Sequence, residues 1–203
     1  MTSATIHVLG AAAALLAMTA AAIVIVLHVV RSNVDPMIDG VSAYALSPFG
    51  YLYRVQVVAT GLAALLLTLA LLASGLASGV AVALLALFGM SRILIARYPT
   101  DPRGTTSLSH PGRLHVILAA VTFLTIAVAA PSIAGAVAPS PSWAGPATVL
   151  TTLGWATTIF ALGTFASATT PATQRVFGLV ERGAYAATLA WVVVAAGGVA
   201  GLG

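Results

Sequence analysis

Six apolar runs alternate along this chain with junctions of two kinds, and every formally charged side chain falls at one kind only. The runs, at about residues 6–30, 53–76, 77–97, 113–137, 146–166 and 177–199, each approach the roughly 20 residues that a helix rising 1.5 Å per residue needs to cross a bilayer. The charges form three clusters: Arg31, Asp35, Asp39 and Arg54; Arg92, Arg97, Asp101, Arg103 and Arg113; and Arg175, Glu181 and Arg182. The two connections between these clusters carry no charge. A lipid-exposed backbone must satisfy its own hydrogen bonds, which leaves helices or closed barrels. Long Ala, Leu and Val runs without strand-like alternation select helices. The expectation is an all-α, integral membrane six-helix bundle: one transmembrane domain of three helical hairpins, with its charged loops all on one side.

Composition excludes the alternatives. With 60% hydrophobic and 6% charged residues, the chain lies far from a soluble domain, in which about a quarter of residues are charged. The first run has no basic flank and is too long for the apolar core of a signal peptide, so it reads as a retained helix. There is no cysteine, so neither a disulfide framework nor a thiolate metal site can form. The net charge of +4 comes from scattered arginines rather than a basic run, which points away from nucleic acid and toward membrane lipids as the counter-charge. Short arginine-rich loops usually stay cytoplasmic, so a multi-pass protein of the cell membrane with both termini outside is expected.

The junctions carry their own signals. Ser74, Gly75, Ser78 and Gly79 suit a tight turn between the second and third runs, and Pro139, Pro141 and Pro146 forbid a continuous helix between the fourth and fifth. Gly61, Gly154, Gly197 and Gly198 read as close-packing positions between helices in lipid. A weak internal echo, F-G-x-x-x-R, occurs at Phe49–Arg54 and at Phe177–Arg182, and Gly112-Arg113 opens the fourth run similarly.

Polar chemistry concentrates in two loops and the helix ends beside them. The first loop, residues 32–53, exceeds the 12 to 15 residues beyond which loops are usually functional or disordered. Its Asp39, Ser42, Tyr44, Tyr51 and Tyr53, set among apolar residues, suit a segment folded back over the bundle. The second loop holds Asp101, Arg103, His110, Arg113 and His115. Arg92 lies about 7.5 Å deeper than Arg97 along its helix, a depth that demands pairing or snorkelling. Glu181, Tyr185 and Thr188 share one helix face, as do His115, Ala119 and Thr122.

The functional reading is a polar pocket just beneath one membrane face. Asp101, His115, Ser42 and Glu181 are its candidate catalytic groups; Arg54, Arg92, Arg113, Arg182, Tyr44 and Tyr185 are its candidate substrate-binding groups. A Ser42–His115–Asp101 arrangement can be written, although no motif fixes its geometry. Imidazole and carboxylate could hold Zn²⁺ with three protein ligands and a water, with Asp39, Asp101, His110 and His115 as donors. No H-x-x-x-H or HExxH pairing exists, so no metal or other cofactor is assigned. His7 and His28 sit at opposite ends of the first run, which argues against haem. The competing reading makes the same charges interfacial anchors, with His28, Arg31, Arg97, Arg103 and Arg175 ordinary helix-end and loop residues.

Four elements carry a family resemblance: Ser42-Ala43-Tyr44 with Phe49-Gly50-Tyr51-Leu52-Tyr53-Arg54; Ala96-Arg97-Tyr98-Pro99-Thr100-Asp101-Pro102; Gly112-Arg113-Leu114-His115; and Gly178-Leu179-Val180-Glu181-Arg182. On these the chain resembles the small bacterial six-helix membrane proteins grouped as domain of unknown function 998. The resemblance implies the six-helix architecture and draws attention to Ser42, Arg54, Asp101, His115 and Arg182 without supplying a substrate. Two functions remain open: an enzyme acting on a lipid or other hydrophobic small molecule, and a non-catalytic accessory subunit or small transporter whose charges form a structural network. A carrier would place polar groups near the bilayer midplane, often on broken helices, and helices one, two and five hold no ionisable residue there.

Overall fold

Helix boundaries follow local chemistry. The Thr2 side chain accepts from the Thr5 N–H and caps α1 (Ser3–Val29), a hydroxyl N-cap satisfying one of the first-turn donors. Helix α2 (Gly50–Ser74) stops at Gly75, whose φ of 69° is left-handed, and after Gly79 the chain turns back as α3 (Val80–Ile95). Ser109 caps α4 (His110–Val137), with Pro111 in the first turn, where a missing N–H costs nothing. The proline-rich connection turns into α5 (Ala147–Ser167), and α6 (Phe177–Val199) ends the bundle. Short 3-10 turns occupy Val41–Leu46, Pro141–Trp143 and Thr173–Val176. This computed structural model describes residues 1–30 and 32–201, and Arg31, read above as a helix-end anchor, lies outside them. No strand occurs among the described residues.

Five helices are long and apolar enough to span a membrane, and the sixth, α3, has 16 residues. It starts later than the sequence suggests because Ser78 and Gly79 belong to the turn. At its other end, i→i+3 bonds from Ala96, Arg97 and Tyr98 to Ile93, Leu94 and Ile95 prolong it by a tighter turn. The chain is thus a polytopic, all-helical membrane bundle with its charged helix ends and loops gathered at one end.

Each helix packs on its neighbours in the chain, and α6 closes the ring against α1. Helices α2 and α6 also meet across the interior. Small residues set these distances, since in lipid the gain comes from van der Waals contact at close approach. A Cβ on Gly61 would collide with the Gly89 carbonyl, and one on Gly89 with the Gly61 carbonyl, so α2 and α3 touch backbone to backbone. The half of the bundle away from the charges is filled by Ala13, Ala63, Leu67, Ala130, Ile133, Trp191 and their neighbours. The charged half has a second cluster containing Leu27, Tyr44, Tyr53, Phe123 and Tyr185.

Pro131 lies inside α4 and has no N–H to offer the carbonyl four residues earlier. That carbonyl, on Ala127, instead accepts a hydrogen bond from the Thr158 hydroxyl of α5 at 2.6 Å. Gly154, one turn from Thr158, leaves room for the Pro131 backbone, whose atoms would stand 3.1 Å from an added Cβ. The proline that would weaken α4 therefore joins it to α5.

Candidate functional site

The first loop folds over the start of α6. Buried Gly178 permits this, because a Cβ there would collide with the carbonyls of Asp39 and Pro36. The Leu179 N–H donates to the Met37 carbonyl at 3.2 Å. Arg182 donates from Nη1 to the Asp39 carbonyl at 2.6 Å and from Nε to His28 Nε2 at 2.6 Å. His28 Nδ1 lies 2.6 Å from the Val24 carbonyl. A carbonyl only accepts, so Nδ1 carries the proton and Nε2 is free to receive Arg182. Tyr44, in the Val41–Leu46 turn, sits edge-on to His28 with ring centroids 5.6 Å apart and lies beneath the Arg182 guanidinium. This latch fixes the loop.

The second loop is held differently. Asp101 accepts from the backbone N–H and the hydroxyl of Ser109 at 2.8 and 2.7 Å, and Ser109 in turn accepts from the Gly112 N–H to cap α4. Across the gap between the loops, Arg103 pairs with Asp39 at 3.5 Å. It is the one ion pair among the described residues.

Between the loops and the ends of α4, α5 and α6 lies a cleft of about 500 Å³. Val116, Ala119, Ala120 and Phe123 of α4, with Phe165 and Ala168 of α5, form apolar walls; Ser42, His115 and Glu181 supply the polar end. His115 and Glu181 are only 4% and 5% exposed. Glu181 Oε2 accepts the Val41 N–H at 2.7 Å. His115 Nδ1 lies 2.8 Å from the Tyr98 carbonyl, so by the same reasoning it is the donor and Nε2 of the neutral ring is an acceptor. His115 Nε2, Glu181 Oε1 and Ser42 Oγ make no hydrogen bond within the protein among the described residues, and none of them is a sealed, unpartnered atom of the kind found at Arg92 Nε. All three residues line both the cleft and a water-sized cavity of about 10 Å³ beneath it.

Behind this floor, Arg92 donates to the Tyr185 hydroxyl at 2.8 Å and to Gln56 Oε1 at 3.1 Å, while its guanidinium stacks 4.7 Å above the Tyr185 ring. Gln56 continues to Thr60 at 3.0 Å. Arg92 Nε is buried without a partner and lies on the small cavity it shares with Ser42, His115, Glu181 and Tyr53. A further cavity of about 20 Å³, lined by Gln56, Thr60, Arg92, Tyr185 and Thr188, continues inward. Polar lining thus runs from the cleft along α6 from Glu181 to Thr188, some 10 Å at the helical rise.

The structure brings Ser42, His115, Glu181, Arg92 and Tyr185 together. It does not bring all the sequence candidates there. Arg54 and Arg113 are exposed and line none of these cavities. Arg182 and Tyr44 form the latch rather than a wall of the cleft. Asp101 reaches the rim, but both its oxygens are held by Ser109, and the His115 Nδ1 that a triad would turn to an aspartate faces a carbonyl instead. A Ser42–His115–Asp101 relay is therefore not formed. His110 is exposed, and no group of three or more His, Asp or Glu side chains is placed to hold a metal ion among the described residues. His28 is a partner of Arg182 rather than a plain helix-end residue. Gln56 escaped the sequence reading because it carries no charge; an amide three residues after Tyr53 and four before Thr60, on one face of an apolar helix, was the available signal.

The three glycines of the sequence echo share one cause. Cβ atoms at Gly50, Gly112 and Gly178 would meet the Ala45 carbonyl, the Asp101 carboxylate and the Asp39 carbonyl: each marks where a loop crosses a helix start. The arginines that follow them do different things. No curated protein matches this chain, and no solved structure does. The model of the family described as "Protein of unknown function (DUF998)" matches residues 11–198, from the first helix to the last, and the chain belongs to that family.

Proposed function

We propose that the protein is a membrane enzyme whose cleft receives the polar end of a lipid or other hydrophobic substrate, with His115 and Glu181 as its proton-handling groups. A cleft of about 500 Å³ falls within the range of small-molecule sites, roughly 300–1,000 Å³. Its apolar walls on α4 and α5 suit a hydrocarbon chain. One observation carries the reading: His115 and Glu181, side chains almost fully buried, each spend one polar atom on the backbone and keep the other, Nε2 and Oε1, without a protein partner at the polar end of an open cleft. A purely structural network would pair such groups with one another rather than turn them toward an open cleft. His115 Nε2 is oriented as a base, since the Tyr98 carbonyl holds the proton on Nδ1 and so fixes the tautomer. Arg92 offsets the Glu181 charge from behind the floor. The protein resides in the cell membrane with its charged face cytoplasmic, as the arginine distribution favours.

The test is lipid and metabolite profiling of cells with and without the protein, beside His115→Ala and Glu181→Gln at matched expression. A profile that changes with the wild-type protein and reverts in both variants supports catalysis. Identical profiles in all four strains would sink it, leaving the accessory-subunit reading.

A further inference from the structure

The atoms left free on the cleft side of the floor are acceptors, the unpartnered Arg92 Nε lying buried behind it. His115 Nε2 is an acceptor because its Nδ1–H is committed to Tyr98; Glu181 Oε1 is a carboxylate oxygen whose companion holds Val41; and Ser42 Oγ has two lone pairs and one rotatable proton. The donors nearby are spent or hidden. Arg92 gives two nitrogens to Tyr185 and Gln56 and is 4% exposed. Arg103, at the rim, pairs with Asp39 and is half exposed, where water screens its charge.

The formal charge points the same way. Three carboxylates, Asp39, Asp101 and Glu181, line the cleft against one arginine, Arg103. Arg92 behind the floor and Arg182 in the latch balance the remaining two charges from outside the cleft, so the excess of carboxylates is confined to the lining itself. A phosphate or carboxylate head would meet acceptors it cannot bond and the Glu181 carboxylate at close range. A primary ammonium brings three N–H donors to three free acceptors, and its charge suits a buried carboxylate.

Building on the proposed function, we infer that the cleft selects an amphiphile with a donor-bearing head, preferably a primary amine and secondarily a hydroxyl, and discriminates against anionic heads. Glu181 Oε1 is the charge-selecting atom, Ser42 Oγ and His115 Nε2 complete the donor count, and the chain lies along Ala119, Ala120, Phe123 and Phe165.

Full-length protein in detergent micelles is titrated with decylamine, 1-decanol and decyl phosphate near neutral pH, bound ligand being counted by native mass spectrometry. Glu181→Gln and the cleft-filling Ala120→Phe serve as site controls, with melting temperature reporting their folding. Decylamine is expected to bind the wild type at least about tenfold tighter than decyl phosphate, the scale of one charge-assisted hydrogen bond, with decanol between them. Glu181→Gln should remove the amine preference and Ala120→Phe should weaken all three ligands. Equal or tighter phosphate binding overturns the inference, as does an amine preference that survives in both variants, which would mark mere partition into micelles. The two readings fail separately. Amine-selective binding with unchanged cellular lipid profiles removes the enzyme and keeps the ligand class, whereas phosphate-selective binding with altered profiles does the reverse.

Discussion

Glu181 Oε2 and the Val41 N–H are 2.7 Å apart, and this bond joins α6 to a loop 140 positions earlier in the chain. Removing the acceptor leaves a buried backbone donor unsatisfied, at a cost of about 1–3 kcal/mol. Glu181→Ala should therefore lower unfolding stability in detergent by that amount. Glu181→Gln retains an oxygen for Val41 and should lose less than half as much while still abolishing the proposed activity. Equal destabilisation by the two variants would show that the bond does not hold the loop.

Arg92 ties α3 to α2 and α6 through Gln56 and Tyr185. Arg92→Met strands both partners and leaves Glu181 with Arg182 as its remaining nearby positive charge, so a loss of about 2–4 kcal/mol is expected. In a double-mutant cycle with Tyr185→Phe, the loss in the double variant should fall short of the sum of the two single losses by about 1 kcal/mol or more. Strict additivity would mean that the guanidinium and the phenol do not interact.

The Thr158 hydroxyl occupies the carbonyl that Pro131 leaves free. Thr158→Val should cost roughly 0.6–1.7 kcal/mol, the range for interhelical hydrogen bonds in membranes. Pro131→Ala supplies an N–H to the same carbonyl, so Thr158→Val in that background should cost less. The check is chemical unfolding of the four proteins in one detergent; an unchanged cost would refute the compensation.

The absence of cysteine makes single introduced thiols clean reporters of sidedness. Ser140→Cys, in the uncharged connection between α4 and α5, should react with a membrane-impermeant maleimide in intact cells, and Thr106→Cys, in the charged loop between α3 and α4, only after permeabilisation. The reverse pattern would invert the orientation drawn from the arginines.

The bundle was legible because six uninterrupted apolar runs leave the backbone few choices in lipid, and the proline and glycine junctions fall where the turns occur. The stripes Glu181–Tyr185–Thr188 and His115–Ala119–Thr122 were legible for a similar reason: helical periodicity alone places their members on one face, and the interior of the ring lies on that side. The roles of individual charges were not. Arg54 and Arg182 occupy the same place in the same short pattern, yet one is exposed and the other bonds His28 and Asp39, because the first loop crosses α2 at Gly50 but runs over α6 as far as Arg182. Asp101 looked like an acid and serves as a clasp for Ser109, a distinction that depends on loop geometry eight residues long.

The Pro131–Gly154 junction also has a mechanical meaning. It pins α4 to α5 in the charge-free half, while the facing walls of the cleft stand above it on the same two helices. His115 is sixteen residues from Pro131, an arm of about 24 Å. A tilt of about 5° between the helices about that fulcrum displaces the His115 end by about 2 Å over such an arm, enough to admit or release an alkyl chain with little disturbance at the pivot itself. Such a tilt would have to open the edge-on contact of Phe123 with Phe165 while one proline, one glycine and one threonine hydroxyl held the other end.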